Sequence, residues 1–164
     1  MNATMNIRAI NPKATDEIEL VATRMQQTLI EVLGAERGRS MYSLDWLIQR
    51  VLWHMDASQI CGQVFVATNA EDKIIGHTIV RIDKDEANND IGLFSTTYVE
   101  PASRRFGVAT LLLNQGEHWM LENGMSTAVT YTDVDNNKLQ NLYLRHGYTL
   151  SRMPNQFVKL AKNL

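Results

Sequence analysis

Apolar positions along the chain follow two periods, and the points where the period changes divide it into elements. Ile7 to Ile10 reads as a short strand closed by Asn11-Pro12. Ile18, Val21, Ala22, Met25, Leu29, Val32 and Leu33 then recur at three- and four-residue spacing, one apolar face of a helix. Thr15 or Asp16 stands where its N-cap belongs, and Gly34 where it stops. Ala35–Ser40 is polar and reads as a loop. Ser43 is placed to cap a second amphipathic helix through Leu44, Leu47, Ile48, Val51, Leu52 and Met55.

The period then shortens. Gln63–Thr68 and Ile74–Ile82 are strand-like and joined by turn residues Asn69–Lys73, which predicts an antiparallel hairpin. After a polar loop over Asp85–Asp90, the β-branched and aromatic run Ile91–Val99 predicts a third long strand. Beyond Pro101, Val108, Leu111, Leu112, Trp119 and Met120 mark a helix ending at Asn123-Gly124. Thr127–Thr132 is a strand. Asp135 stands as the cap of a short helix through Leu139, Leu142 and Tyr143 to Gly147. Tyr148–Met153 and Phe157–Leu160 are two final strands. The order β-α-α-β-β-β-α-β-α-β-β predicts a mixed α/β fold, with no repeat or linker, as a single domain over residues 1–164.

Composition narrows the class. Apolar residues make up 45% and charged residues 21%, ordinary for a globular chain, and a net charge of −2 gives no reason to expect nucleic acid or an acidic membrane surface. The single cysteine, Cys61, excludes an internal disulfide. Met1–Asn6 lacks a basic segment followed by an apolar one, and no apolar run reaches the ~20 residues that span a bilayer. A cytoplasmic protein is the expectation. His54, His77, His118 and His146 show no metal-ligand spacing, so no metal is expected.

One segment carries candidate chemistry. Arg104-Arg105-Phe106-Gly107-Val108-Ala109 lies between the strand ending at Val99 and the following helix. A helix N-terminus presents unpaired N–H groups and partial positive charge, and it binds phosphate where small residues let the backbone approach. Gly107 and Ala109 are small, Arg104 and Arg105 add charge, and Thr110 adds a hydroxyl. Alone, the six residues also fit a plain helix start packed on a sheet.

A second motif adds weight. Asn136 is followed by Leu142-Tyr143 and Gly147-Tyr148, and the first motif is preceded by Tyr98-Val99-Glu100-Pro101. In this order the two motifs resemble the GNAT superfamily of acetyl-CoA-dependent N-acyltransferases, over about Ile91 to Tyr148. The resemblance implies a mixed, mostly antiparallel central sheet flanked by helices. It implies an N-acetyltransferase that moves acetyl from acetyl-CoA to a primary amine by direct attack, without a covalent intermediate. By the same resemblance, backbone groups of Tyr98 and Val99 would hold the pantetheine arm in a gap between two splayed strands. The Val99 N–H would polarise the thioester carbonyl. Arg104, Arg105, Phe106, Gly107, Val108, Ala109 and Thr110 would hold the pyrophosphate, mainly by main-chain amides. Asn136 would contact the pantetheine, and Tyr143 would act as general acid on the leaving thiolate. Homodimers are common in the family.

Those residue types suit that chemistry. A thiol titrates near ~8.5 and a phenol near ~10, so tyrosine is protonated when the thiolate departs. A fixed N–H stabilises the developing oxyanion. Taken without the resemblance, Tyr143 reads as a core aromatic beside Leu139 and Leu142. Family members often place a carboxylate base on the strand matching Ile91–Val99, and this strand has none. Asp133 is the first candidate base; Asp135 reads as a cap, Glu100 as a solvated turn residue, and Asp90 as too far away. Trp46 and Trp53, seven apart, fit one stripe packing on the sheet, the reading taken for Trp53; the resemblance also makes this region a source of acceptor-pocket residues, with Tyr42 and Arg37–Ser40 as candidates. A non-catalytic acyl-CoA-binding module is the alternative on the same fold. The acceptor partner is a small-molecule or peptide amine of unread identity.

Overall fold

The computed structural model describes residues 5–164; Met1–Thr4, which hold most of the N-terminal segment read above, lie outside the described residues. The elements are β1 (Asn6–Ala9), α1 (Thr15–Leu33), α2 (Ala35–Met41), α3 (Leu44–Trp53), β2 (Gly62–Thr68), β3 (Ile74–Lys84), β4 (Asp90–Val99), α4 (Val108–Glu122), β5 (Thr127–Asp133), α5 (Asn137–Arg145), β6 (Thr149–Arg152) and β7 (Phe157–Asn163). A 3₁₀ turn, Pro101–Ser103, sits between β4 and α4. The strands form one seven-stranded sheet in the order β1-β2-β3-β4-β5-β7-β6. Only β4 and β5 pair in parallel; the other neighbours are antiparallel.

Helices cover both faces. On one, Ile18, Val21, Ala22 and Met25 of α1 and Leu47 and Val51 of α3 pack on Val64, Val66 and Ile79. On the other, Val108 and Leu112 of α4 meet Ala67 and Ile75, and Leu113 and Met120 meet Val80 and Phe94, with Tyr143 of α5 in the same cluster. Each fully buried side chain of this size contributes about 1.5–3 kcal/mol. Leu112 and Leu113 carry the buried stripe of α4, whereas Leu111, assigned to it from spacing, stands 38% exposed.

Three local expectations change. Ala35–Met41 is a helix rather than a loop, because Gly38 lies against the α1 backbone: a Cβ there would sit 2.6 Å from Ile30 Cα. Glycine acts here as a contact surface rather than a breaker. The residue before α1 is Ala14, with no side-chain cap from Thr15 or Asp16. Asn136, rather than Asp135, caps α5, its side-chain oxygen accepting from the Leu139 amide at 3.3 Å. Ser43 caps α3 as expected, accepting from Trp46 N–H at 3.1 Å.

Candidate functional site

β4 uses its two edges differently. Toward β3 it pairs continuously from Gly76↔Val99 to Lys84↔Asp90. Toward β5 it pairs only over Gly92↔Ala128, Leu93↔Val129 and Phe94↔Thr130. Beyond Phe94 and Thr130 no pairing joins the strands, so Ser95–Val99 and Tyr131–Asp133 flank a gap. The register with β3 also slips: Val80 faces Phe94 but Ile79 faces Thr96, leaving Ser95 as the extra residue of a β-bulge.

The slip fixes which groups enter the gap. The Glu100 amide donates to Ile75 O at 2.9 Å, so Ile75 and Glu100 are a hydrogen-bonded pair. Such pairs alternate in an antiparallel ladder, so Tyr98 is bonded to His77 and the main-chain groups of Val99 and Thr97 turn away from β3, toward the gap. The Tyr98 main-chain groups are therefore committed to β3, unlike the expectation from sequence. Thr97 takes that place, and spacing alone gave no signal for it. The Val99 carbonyl accepts from Arg104 Nε at 2.8 Å, which leaves its N–H as the outward group.

Arg104 folds back toward the sheet. Besides Val99 O, its guanidinium lies 3.8 Å from Glu31 and 5.8 Å from the Tyr98 ring. Arg24 approaches the same ring at 5.6 Å and pairs with Glu100 at 3.1 Å, and Ser103 also donates to Glu100. Glu100 is thus held rather than solvated. Arg105 and Gly107 both take left-handed backbone, φ 71° and 81°, and between them Phe106 is 71% exposed. The first intrahelical bond of α4 runs from Leu111 N to Gly107 O, so the amides of Val108, Ala109 and Thr110 precede the ladder, with no side-chain cap. A Cβ at Gly107 would meet nothing within 4 Å, so the approach to these amides is open. The Thr110 hydroxyl lies 3.0 Å from His146 Nε2, while His146 Nδ1 lies 2.7 Å from Leu142 O. A ring donating through Nδ1 accepts the Thr110 hydrogen at Nε2.

Tyr143 lies at the vertex of the gap, 1% exposed, its ring edge-on to Phe94 and Tyr148. Its Oη is 3.2 Å from Thr97 Oγ1, and burial pushes the phenol well above its usual range. Phe94 and Thr97, three apart, would lie on opposite faces of a regular strand; the bulge brings both to Tyr143. Asn136 uses both ends of its amide internally, Nδ2 donating to Thr132 Oγ1 at 3.1 Å. The Asp133 carboxylate accepts from the Asp135 amide at 2.9 Å, at the C-terminal end of β5.

The α2–α3 corner is different in kind. Trp46 is 44% exposed, so it does not pack on the sheet; it stacks on Tyr42 at 4.2 Å. Arg50 lies 4.0 Å over Trp53. His77 is fully buried, with Nε2 3.1 Å from Thr96 Oγ1 and no partner for Nδ1; burial and then Arg24 lower its pKa to about 3. Open hollows occur between Arg8 and Asp72 and along Leu33–Ser40; no residue of β4, β5 or α5 lines either. Among the described residues, no group of three or more His, Cys, Asp or Glu side chains is gathered for a metal, and no helix is long and apolar enough to cross a membrane.

Comparison with known proteins meets this geometry. The model of the acetyltransferase (GNAT) family matches residues 22–148. A mycothiol acetyltransferase from Nocardia farcinica is 29% identical over 87 residues, 52% of this chain and 28% of that protein. The chain thus matches under a third of that relative's length. The PaiA N-acetyltransferase from Thermoplasma acidophilum, solved with coenzyme A, has a similar fold: TM-score 0.77, 16% identity, covering 98% of this chain and 99% of that one. So does a chain of the NatC complex bound to Gag peptide and CoA: TM-score 0.68, 18% identity, 98% of each chain covered. An acetyltransferase from Thermus thermophilus gives TM-score 0.74 at 12% identity, with 98% and 97% covered. The chain belongs to the GNAT acetyltransferase family.

Proposed function

We propose that this member of the GNAT family transfers the acetyl group of acetyl-CoA to a primary amine in a ternary complex, as a single domain over residues 1–164 acting in the cytoplasm. The gap between β4 and β5 carries the reading: it brings the outward N–H of Val99, the Tyr143 hydroxyl and the uncapped start of α4 to one opening. Coenzyme A in relatives solved with it supports the cosubstrate, and the N-acetyltransferase activity in the name of the Thermoplasma protein supports an amine acceptor.

The residues divide the work by chemistry. Amides of Arg105 to Thr110 hold the pyrophosphate, with Gly107 keeping the approach open. Main-chain groups of Thr97 and Val99 pair with the pantetheine as a missing strand would. The Val99 N–H faces the oxyanion that forms when the amine attacks. Tyr143 gives its proton to the departing sulfur and positions it until then. Asn136 orders the β5–α5 turn beside the arm. Asp133 is the candidate base at the mouth of the gap. Tyr42, Trp46 and the α2 residues around Arg37 form the acceptor side. A homodimer is the assembly we expect.

Two measurements test this. Acetyl-CoA at micromolar concentration raises the melting temperature, and no shift removes the cosubstrate. An amine screen with thiol release as readout gives turnover that Tyr143→Phe slows by about 10²–10⁴-fold, the usual range for one acid. Binding without turnover on any amine class would instead make the chain an acyl-CoA-binding module.

A further inference from the structure

We infer that Thr97 and Thr78 form a reversible hydroxyl chain that turns the Tyr143 hydroxyl toward the leaving sulfur, which makes Thr97 a positioning residue for acetyl transfer. The inference rests on the reading of Tyr143 given above. Tyr143 Oη lies 3.2 Å from Thr97 Oγ1, Thr97 Oγ1 lies 2.8 Å from Thr78 Oγ1, and Thr78 Oγ1 donates to Thr96 O at 3.2 Å. Each hydroxyl has one hydrogen to give. With the Thr78 hydrogen on Thr96 O, Thr97 donates to Thr78 and Tyr143 donates to Thr97. In that direction the Tyr143 hydrogen points away from the gap.

The opposite direction is open at small cost. Thr96 faces Ile79 in the hydrogen-bonded phase of the ladder, so its carbonyl keeps a main-chain donor when Thr78 turns away. Thr78 then donates to Thr97, Thr97 donates to Tyr143, and the phenol hydrogen is free to face the sulfur. Thr130 stands beside the same phenol, but while its hydroxyl donates to Phe94 O at 2.9 Å it has no hydrogen to give Tyr143. As the carbon–sulfur bond breaks, its electron pair goes to sulfur and the Tyr143 proton follows. The phenolate keeps the Thr97 hydrogen bond, and the proton shed by the acylated nitrogen restores the phenol. Tyr143 and Thr78 are buried, so solvent supplies no substitute donor.

The test needs no acceptor. Coenzyme A is bound to the full chain and its thiol titrated by thiolate absorbance. In the wild type the bound thiol ionises at lower pH than free coenzyme A, and Tyr143→Phe raises it. Thr97→Val raises it by about half to one pH unit, less than a full charged hydrogen bond. Thr97→Ser restores the wild-type value, and Thr97→Val adds nothing in the Tyr143→Phe background. Thr78→Val gives a smaller shift of the same sign and serves if Thr97→Val does not fold. A wild-type value in Thr97→Val, or an added shift in the double variant, overturns the role of Thr97 alone. A wild-type value in Tyr143→Phe, or failure of coenzyme A to bind, removes the Tyr143 reading as well.

Discussion

β4 is the same strand on both sides, yet its two edges have opposite fates. Against β3 it is bonded along its length; against β5 it parts after three pairs. The bonded edge sets register and so decides where every main-chain group of the strand points. The open edge presents what that register leaves over. A binding site can therefore be built from hydrogen bonds that a strand withholds, provided its other edge is fully committed.

The largest effect is expected where the open edge is wedged. Tyr143→Ala removes a fully buried aromatic from the vertex and should cost about 3–5 kcal/mol in chemical unfolding, besides turnover. Next comes acid, which attacks the bonded side. Burial, countered in part by the Arg50 carbonyl, lowers His54 to about 4, and burial with Arg24 lowers His77 to about 3. Both fold neutral, whereas the unfolded chain takes up their protons near ~6.5. Stability is thus complete above that pH and falls as pH drops toward 4, by about 1.4 kcal/mol per pH unit for each histidine. Urea titrations at pH 7 and 5 measure the loss, and His77→Gln should remove one share of the slope.

A smaller change should separate binding from folding. Gly107→Val forces a β-branched residue into left-handed backbone at the start of α4, the proposed phosphate end. It should weaken acetyl-CoA at least about 100-fold, close to 2.7 kcal/mol, while unfolding changes by only about 1–2 kcal/mol. Retained affinity would place the phosphates elsewhere. The smallest effects are the caps. Asn136→Ala and Ser43→Ala should each cost about 1 kcal/mol, but only the first should also weaken acetyl-CoA, measured by calorimetry.

Much of the fold was legible, because Ile18–Met25, Leu112–Met120 and the strand runs follow periods that burial imposes. The family lay in two spaced motifs. What escaped depended on contacts distant in sequence or on counting hydrogen bonds. Gly38 joins a helix only because Ile30 waits beneath it. Glu100 is held by Arg24, seventy-six residues earlier. Thr97 enters the gap, and Tyr98 does not, because one amide at Glu100 sets the phase. Trp46 has the helical spacing of a packed residue but stands exposed, stacked on Tyr42. The acceptor side proposed above would be built from such exposed side chains, which follow no period.

Ser95 has a role measured in residue count rather than chemistry. It has no counterpart on β3, and it supplies the bend at the point where β4 stops pairing with β5. Any residue that tolerates a bulge could replace it. Deleting it would leave Thr97 and Val99 on their present faces, two and four places after Phe94 in a regular strand, but would remove the bend with which β4 turns away from β5. At this position a substitution should be forgiven, whereas loss of the residue should straighten β4 and narrow the gap.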